Sequence, residues 1–362
     1  MLTAIDLFSG CGGFSLGASL AGFKIMAAIE RDRHACATYK RNLISTDIAA
    51  DSLIQDDILA VSPKQLLNRA RLGIGDVDIL IGGPPCQGFS THRLGDSGVD
   101  DPRNALLIQY FRFVSALRPT AFLVENVPGL MWPRHRKWLL KFRRLAEEAN
   151  YHLRMPMVLN AKDFGIPQNR KRVFIFGHDK RLSRDFDWLP SPTHGDPASR
   201  PVLEGTLKAW VPAKSAFRAA PKGDPNNIHM QHCAELVEAF QATPRNGGLR
   251  FHSGRTLQCH QTHNGHFDVY GRIDPRTPGP TMTTACINPS KGRFVHPSQP
   301  HGITVRQAAR LQSFPDWFVF EGGLMSAGVQ IGNAVPPVLA NALLAKIAES
   351  FTLRTSSKVR AA

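Results

Sequence analysis

Short apolar runs alternate with helix-like patterns over the first 180 residues, and this alternation constrains the fold more than any other feature of the chain. The apolar runs predict strands at 2–8, 23–29, 77–81, 121–124 and 173–176. Patterns typical of amphipathic helices lie between them, at 35–43, 104–117 and 138–149. Strands that alternate with helices predict an α/β fold, with a mostly parallel sheet covered on both faces.

The pattern changes near residue 190. From 190 to 300 the periodicity is weak, turn-forming Pro, Gly and Asn residues are frequent, and basic residues are in excess. Helical patterns return at 304–313 and 336–350. We therefore predict a large domain at 1–188, a smaller irregular domain at 189–300, a return segment at 301–350 that completes the large domain, and a flexible tail at 351–362.

The chain is strongly basic, with a formal net charge of +15 and a pI of about 9.9. Such a charge favours an anionic partner, with nucleic acid ahead of a membrane surface. Six basic residues with no acid among them fall between positions 134 and 144, namely Arg134, Arg136, Lys137, Lys141, Arg143 and Arg144. A solvated helix face is the simpler interpretation of this run. Charge alone therefore indicates only the class of partner.

Cysteine usage and hydropathy indicate the cellular setting. The six cysteines are dispersed without a CxxC pair, which predicts free thiols in a reducing, cytoplasmic environment. No apolar stretch approaches the roughly 20 residues of a membrane span, and no leader pattern opens the sequence. Four residues resemble a metal-ligand spacing: Cys259, His260, His263 and His266. No second paired element accompanies them, so we expect no metal.

A glycine-containing loop, DLFSGCGGFSLG at 6–17, follows the first predicted strand and opens a helix. Glycines let the backbone turn tightly beside a ligand at a helix N-terminus. Glu30 ends the second strand, where it could accept hydrogen bonds from ribose hydroxyls, and Asp57 could accept from an adenine amino group. Ser15 replaces the third glycine of a dinucleotide fingerprint, so the set suits an adenosine cofactor without a pyrophosphate. Ordinary loop carboxylates remain the alternative for both acids.

A lone thiol, Cys86, follows the strand at 77–81 within the segment GGPPCQGFS. The two prolines end the strand because neither can donate a ladder hydrogen bond. Local sequence leaves a nucleophile and a packing cysteine equally open. Glu125 follows the strand at 121–124, so its carboxylate should emerge at the same sheet edge. Arg170 and Arg172 precede the strand at 173–176, and alternation would send both to one side.

Taken in order, these segments resemble the cytosine-carbon-5 DNA methyltransferases of bacterial restriction-modification type. The resemblance covers about 1–190 and 300–350, and it includes PPCQ at 84–87, ENV at 125–127, QNRKR at 168–172 and GNAVPP at 332–337. A segment at 306–315 resembles the one that packs the family's recognition domain. The resemblance implies a Rossmann-like, S-adenosylmethionine-dependent methyltransferase domain with a separate target-recognition domain at 189–300.

The resemblance also implies catalytic roles. Cys86 would add to carbon 6 of a cytosine flipped out of duplex DNA, and Glu125 would hydrogen-bond ring nitrogen 3. Arg170 would contact the cytosine carbonyl oxygen, and Arg172 would orient these groups. Residues 88–103 would form a lid that carries the candidate DNA contacts Ser90 and Arg93, although a plain mobile loop is the alternative.

The implied cofactor is S-adenosylmethionine. The residues expected to bind it are Phe8, Ser9, Gly10, Cys11, Gly12, Gly13, Glu30, Asp57, Ile58, Pro84, Asn333 and Val335.

The expected partner is double-stranded DNA, bound by a monomer that acts beside a cognate restriction endonuclease or defence complex. Two alternatives stay open: an RNA cytosine-5 methyltransferase, and a DNA-binding regulator without catalysis. A nicotinamide oxidoreductase would leave PPCQ, ENV and QNRKR unexplained.

Overall fold

The computed structural model describes residues 1–44, 52–85, 105–182, 186–253 and 268–359. The strands in these ranges are β1 (Leu2–Leu7), β2 (Phe23–Glu30), β3 (Leu53–Gln55), β4 (Ile79–Gly82), β5 (Ala121–Asn126), β6 (Tyr151–Leu153), β7 (Met157–Asn160), β8 (Lys171–Asp179), β9 (His194–Gly195) and β10 (Lys208–Ala209). The α-helices are α1 (Gly13–Leu20), α2 (Arg33–Leu43), α3 (Pro63–Ala70), α4 (Ala105–Leu117), α5 (Arg136–Glu148), α6 (Arg200–Leu203), α7 (Ala234–Ala242), α8 (Val305–Leu311), α9 (Gly323–Asn333) and α10 (Pro337–Val359).

Strands β1 to β8 form one eight-stranded sheet in the order β3-β2-β1-β4-β5-β8-β6, with β7 also paired to β8. The strands from β3 to β5 are parallel, whereas β8 runs antiparallel to β5, β6 and β7. The strand order reverses between β1 and β4, and ligands of such sheets bind beyond the carboxyl ends of the strands at this point. The predicted α/β fold with a mostly parallel sheet is confirmed.

The two strands β5 and β8 are longer than the sequence predicted. Their antiparallel register pairs Glu125 with Phe174 and Asn126 with Val173, so each strand holds the other in extended conformation beyond its apolar run. Glu125 and Asn126 therefore lie inside β5 rather than in a loop after it. Their side chains are fixed by strand pairing.

The chain divides into two compact units, which we call unit 1 and unit 2. Unit 1 comprises Met1–Asn160, Lys171–Ser191 and Pro337–Ala362. Its core contains three buried rings in edge-to-face contact, Phe111, Phe122 and Phe142, with centroids 5.3–6.0 Å apart. Such aromatic pairs add to the stabilisation that comes from burial alone.

The last helix, α10, packs against the first helix, α1. Gly17 of α1 lies so close to Ala340 of α10 that a Cβ at position 17 would overlap the alanine side chain. This contact explains how a segment distant in sequence completes unit 1. The helix continues to Val359, past residue 350, after which the sequence predicted a flexible tail.

Unit 2 comprises Ala161–Arg170 and Pro192–Pro336. In its described part the regular structure is sparse: the short parallel pair of β9 and β10, and helices α6 to α9. Arg306 of α8 forms an ion pair with Asp224 in which both side chains are almost fully buried. Residues 301–336 therefore belong to this unit and not to the predicted return segment, and the irregular domain extends beyond its predicted end at residue 300.

One stretch of the described chain, Gly323–Phe351, is long and apolar enough to cross a membrane by length and composition. It consists of two helices, α9 and α10, separated at residues 334–336, and more than half of it is buried inside the fold. Buried core helices pass the same test, so this stretch is weak evidence for a membrane span.

Candidate active site

The glycine loop after β1 has the backbone geometry expected of a ligand-binding turn. Phe8 and Gly10 both have left-handed backbone conformations, with φ of 60° and 56°. Gly12 caps α1 with a φ of 94°, and a Cβ there would overlap the side chain of Leu43. A non-glycine residue such as Phe8 in this conformation is uncommon and marks a constrained, often functional, segment. Gly13 begins the helix directly after this turn.

The carboxylate of Glu30 closes the glycine loop onto the end of β2. Its Oε2 accepts a hydrogen bond from Gly10 N at 2.9 Å, and its Oε1 accepts from Arg31 N at 2.8 Å and Asp32 N at 2.7 Å. Each carboxylate oxygen can accept two hydrogen bonds. Glu30 therefore fixes the loop, and its Oε2 retains capacity for one further hydrogen bond.

Asp57 and Ile58 lie beside Glu30 because Asp56 N donates to the Glu30 carbonyl oxygen at 3.1 Å. The Asp57 carboxylate is paired with Arg31 at 3.2 Å, while Ile58 is buried. The structure thus brings together an acceptor and an apolar wall at the carboxyl ends of β2 and β3. This is the pair that the sequence predicted for an adenine ring.

A buried polar network that sequence reasoning missed lies behind the glycine loop. Asp6 Oδ2 accepts from Ser15 Oγ at 2.6 Å, and Ser15 Oγ in turn accepts from Tyr39 Oη at 3.0 Å. Burial raises the pKa of Asp6 to about 7. Asp6 Oδ1 and Ser9 Oγ are also buried, and neither has a hydrogen-bond partner among the described residues. Two orphaned polar atoms beside this loop fit a polar ligand bound there.

The described cysteines are packing residues or exposed thiols. Cys11, Cys36 and Cys286 are buried, and burial raises the pKa of each thiol to about 12, which keeps them protonated and unreactive. Cys233 is exposed. Cys11 is thus placed in the glycine loop as a small apolar residue.

Glu125 and Arg172 form the central charged pair of unit 1. Arg172 Nε lies 2.9 Å from Glu125 Oε1, and the two side chains are only 13% and 10% exposed. The strand register explains the contact: Glu125 is opposite Phe174, and Arg172 lies two residues away on the same face of β8. A Cβ on Gly83 would lie 3.3 Å from Glu125 Oε2, so the β4 exit passes directly beside the carboxylate.

Asn126 holds the β4 exit in place. Its Nδ2 donates to the Pro84 carbonyl oxygen at 3.2 Å, and its Oδ1 accepts from Val127 N at 2.9 Å. Pro84 is buried and Pro85 is partly buried. The ENV segment therefore places a carboxylate and a fixed turn next to the residues that lead into Cys86.

Arg170 has a different environment from the one predicted. It is 1% exposed and donates to three backbone carbonyl oxygens of unit 2: Met282 at 2.8 Å, Gly332 at 2.8 Å and Ala334 at 3.1 Å. Arg172 is the arginine beside Glu125. The contact of either arginine with a cytosine remains a prediction.

The position at which β8 begins explains why the two arginines have different environments. The strand begins at Lys171, so Arg172 follows its alternation, whereas Arg170 precedes the strand and belongs to unit 2. Alternation along a strand would place Arg170 and Arg172 on the same face of the sheet. Only Arg172 lies in the strand, so the rule does not apply to Arg170.

Asn333 and Val335 both lie in unit 2. Asn333 is exposed at the last position of α9, and Val335 is buried after it. Their expected place at a cofactor site remains a prediction.

Some predicted residues lie outside the described residues: Cys86, Ser90 and Arg93, the rest of the 88–103 segment, and Cys259, His260, His263 and His266. Within the described part of the chain, no group of three or more His, Cys, Asp or Glu side chains could hold a metal ion.

The sheet order, the constrained glycine loop and the acids at the carboxyl ends of β2 and β3 are typical of α/β domains that bind a ligand at this edge of the sheet. The family model for C-5 cytosine-specific DNA methylase matches residues 2–349. The chain therefore belongs to the C-5 cytosine-specific DNA methylase family, and it is a DNA cytosine-5-methyltransferase.

Curated relatives and solved structures agree with this assignment. The chain is 33% identical to the type II methyltransferase M.DdeI of Desulfomicrobium norvegicum, across 97% of this chain and 89% of the relative. It is 34% identical to the type II methyltransferase M1.HphI of Haemophilus parahaemolyticus, across 94% and 85%.

A solved structure assigned as a DNA modification methyltransferase from an Escherichia coli prophage is 29% identical, with a TM-score of 0.68 over 96% of this chain and 99% of that one. The Dnmt2 methyltransferase of S. pombe shares the fold, with a TM-score of 0.61 at 17% identity over 97% of this chain and 100% of that one.

Proposed function

We propose that the chain transfers a methyl group from S-adenosylmethionine to carbon 5 of a cytosine flipped out of duplex DNA, within a type II restriction-modification system. The observation that carries this proposal is the Glu125–Arg172 pair beside the β4 exit, which leads directly into Cys86. The type II names of the similar proteins support the biological setting. We further propose a cytoplasmic monomer that protects host DNA from a cognate endonuclease.

The residues that would hold the cofactor fit its parts. The glycine loop offers the orphaned Ser9 Oγ to a charged amino-acid moiety. The remaining acceptor site of Glu30 suits a ribose hydroxyl, and Asp57 with Ile58 suits an adenine. When bound, S-adenosylmethionine supplies an electrophilic methyl group on a sulfonium. Asn333, Val335 and Pro84 stay proposed as further cofactor-binding residues.

Covalent addition is the first chemical step we propose. A cytosine inside the duplex is inaccessible, so the base must leave the stack. Cys86 then adds to carbon 6 as a thiolate. A free thiol is only partly ionised at neutral pH, so basic surroundings help the step.

Glu125 and Arg172 would stabilise the ring during this addition. Glu125, in its protonated form, donates to ring nitrogen 3 and relieves the negative charge that develops there. The Arg172 guanidinium has five N–H donors, so it can hold Glu125 and also donate to the cytosine carbonyl oxygen. Arg170 serves the structure of unit 2 instead, because its donors meet backbone carbonyls.

The remaining steps restore the aromatic ring. Carbon 5 becomes nucleophilic after the addition and accepts the methyl group. The proton on carbon 5 passes to a water molecule, and the carbon–sulfur bond to Cys86 breaks.

Sequencing of host DNA for 5-methylcytosine, after expression of this chain, tests the proposal and gives the sequence context. New 5-methylcytosine is expected with wild type and none with Cys86→Ala. The matched control is Cys233→Ala, which removes an exposed free thiol. Absence of methylation with a folded wild-type protein would contradict the proposal.

A second measurement separates DNA from RNA as substrate. Purified protein with labelled S-adenosylmethionine should label duplex DNA and leave total RNA unlabelled. It should also form a covalent complex on DNA that contains 5-fluorocytosine, and this complex should be lost in Cys86→Ala. Labelling of RNA alone would favour the RNA alternative.

A further inference from the structure

A basic surface lies at the start of α5, on unit 1. We call it the α5 basic surface and define it as the side chains of Arg134 and Arg136, both of which are exposed. No acidic residue occurs between positions 127 and 146. Among the described residues neither of the two forms an ion pair. The positive charge of this surface is therefore not compensated locally.

The far end of the same helix is different. Arg143 and Arg144 each lie 3.1 Å from a glutamate one turn later, Glu147 and Glu148. These i,i+4 pairs neutralise the second half of α5. Arg134 and Arg136 are thus uncompensated, whereas Arg143 and Arg144 are compensated.

Helix stability does not explain this arrangement. The first turn of α5 holds Arg136 and Lys137 with no acid, and its last turn holds Glu147 and Glu148 with no base. Both ends therefore carry charge of the sign that the helix dipole disfavours. Exposure of the helix face to solvent therefore does not account for the cations at the end of α5 where the helix dipole is positive.

The surface is held in a defined position. Two short 3₁₀ turns, Pro128–Met131 and Pro133–His135, connect β5 to α5, and Leu130 in the first turn is fully buried in the core. The Arg134 guanidinium lies 4.6 Å from the centre of the Trp132 ring, and its Nε donates to His135 Nε2 at 3.1 Å. Arg134 is therefore ordered before any partner arrives.

The surface also lies at the catalytic edge of the sheet. The turns begin directly after Asn126, at the carboxyl end of β5, where Glu125 is located. The helix then leads away to β6, at the opposite edge. The uncompensated cations are at the end of α5 nearest the proposed chemistry, and the neutralised pairs are at the distant end.

We infer that the α5 basic surface binds phosphates of the DNA duplex that flanks the target cytosine. The inference rests on the proposed function for its choice of polyanion. Guanidinium groups that are exposed, unpaired and fixed are suited to sequence-independent phosphate contacts. The surface would add affinity and orientation without reading the sequence.

The test compares two double variants of the full chain that remove equal charge, one at the entry to α5 and one in its second half: Arg134→Gln with Arg136→Gln, and Arg143→Gln with Arg144→Gln. Binding to a long DNA duplex of random sequence is measured between 50 and 300 mM salt, over which the affinity of such contacts falls by about tenfold or more. Each phosphate contact contributes about 0.9 to the slope of log affinity against log salt. The first variant should lower the slope by about 2 and weaken binding by about tenfold or more, and the second should change the slope by less than about 0.5.

Thermal unfolding of both variants controls for folding. Removing Arg136 relieves an unfavourable position in the first turn of α5, so the first variant should unfold no earlier than wild type. Equal slopes for the two variants would overturn the inference. So would a slope change in the Arg143 and Arg144 variant alone.

Methylation separates this inference from the proposed function. At saturating concentrations of DNA the first variant should keep the wild-type turnover rate, since it touches no reacting group. If wild type methylates no DNA but the two variants change the salt dependence as predicted, the proposed function is wrong and the inference about the α5 basic surface is supported. If wild type methylates DNA and the slopes are equal, the surface fails and the function stands.

Discussion

Unit 1 and unit 2 satisfy the same physical requirement by different means. In unit 1 the strands pair with each other, so backbone hydrogen bonds are made within the sheet and apolar side chains such as Phe122 fill the space around it. In unit 2 strands are few, and buried arginines donate to backbone carbonyls instead. Arg272 reaches the carbonyls of Phe240, Thr243, His296 and Gln299, and Arg310 those of Ala216, Arg218 and Ala219.

The comparison shows that irregular backbone needs hydrogen-bond donors for its carbonyl groups before it can be buried. A buried carbonyl without a donor is costly, and a loop-rich unit cannot supply enough N–H donors in regular ladders. One guanidinium provides five donors from a single position. Unit 2 should therefore depend on a few arginines, whereas unit 1 depends on many apolar contacts.

The largest expected effect is in unit 2. Arg306→Met leaves Asp224 buried without its partner, and breaking such a pair typically costs about 3–5 kcal/mol. Urea unfolding of the variant measures the loss. Arg200→Met, which removes an exposed pair with Glu204, is the control and should cost less than about 1 kcal/mol. Similar values for both would break the comparison.

Arg172 of unit 1 should affect the methylation rate, whereas Arg170 of unit 2 should affect stability. Arg172→Lys loses the fork geometry at Glu125 and should lower the methylation rate by about 100-fold with little change in stability. Arg170→Lys should instead cost about 1–3 kcal/mol of stability, since carbonyls of unit 2 lose donors. Rates at saturating substrate and unfolding curves of both variants decide the matter. The reverse pattern would restore the roles first predicted from the sequence.

Packing in unit 1 can be tested by adding one methyl group. Gly177 of β8 faces the Phe122 ring, and a Cβ there would overlap it, so Gly177→Ala should cost about 1–3 kcal/mol. Adding Phe122→Leu makes room and should recover part of that loss. The double-mutant cycle measures the coupling, and additive costs would exclude the proposed contact.

The smallest effects concern pH, and the two units should respond with opposite sign. Burial lowers the pKa of His296 in unit 2 from 6.5 to about 4, so its contribution to stability is complete above pH 6.5 and is lost as the pH falls towards 4. The Asp6 pKa is raised from 3.8 to about 7, so its contribution is complete below pH 3.8 and is lost as the pH rises to 7.

Unfolding free energies of His296→Asn and Asp6→Asn between pH 4 and 8 test this contrast. Asparagine at 296 keeps an acceptor for the backbone N–H groups of Ser298 and Gln299. Relative to wild type, the first variant should gain about 1–2 kcal/mol as the pH falls, and the second as it rises. Parallel curves for wild type and either variant would rule out that group as the cause.

Much of unit 1 could be predicted from the sequence because its signals are local. Apolar runs, the glycine loop and the acid at the end of β2 lie within short segments, and the parallel sheet brings their ends together. The buried hydrogen bonds of Asp6 were not predicted, because Asp6 counts as part of the glycine-loop motif at 6–17 and is not considered separately there. Its position at the end of an apolar strand, before a helix that carries Ser15, was the available signal.

Unit 2 was harder to predict because its order depends on distant contacts. The partners of Arg170 are at positions 282, 332 and 334, and no local pattern reveals them. The helical pattern at 304–313 indicated a return to the large domain, yet the partner of Arg306 is Asp224. In addition, the sequence alone does not distinguish a buried arginine from an exposed one.

The contact between Gly17 and Ala340 has a consequence for how the protein is made. During synthesis α1 and its glycine loop leave the ribosome before α10, the helix that covers α1. A nascent chain therefore has an uncovered first helix until residues 337–351 have been translated.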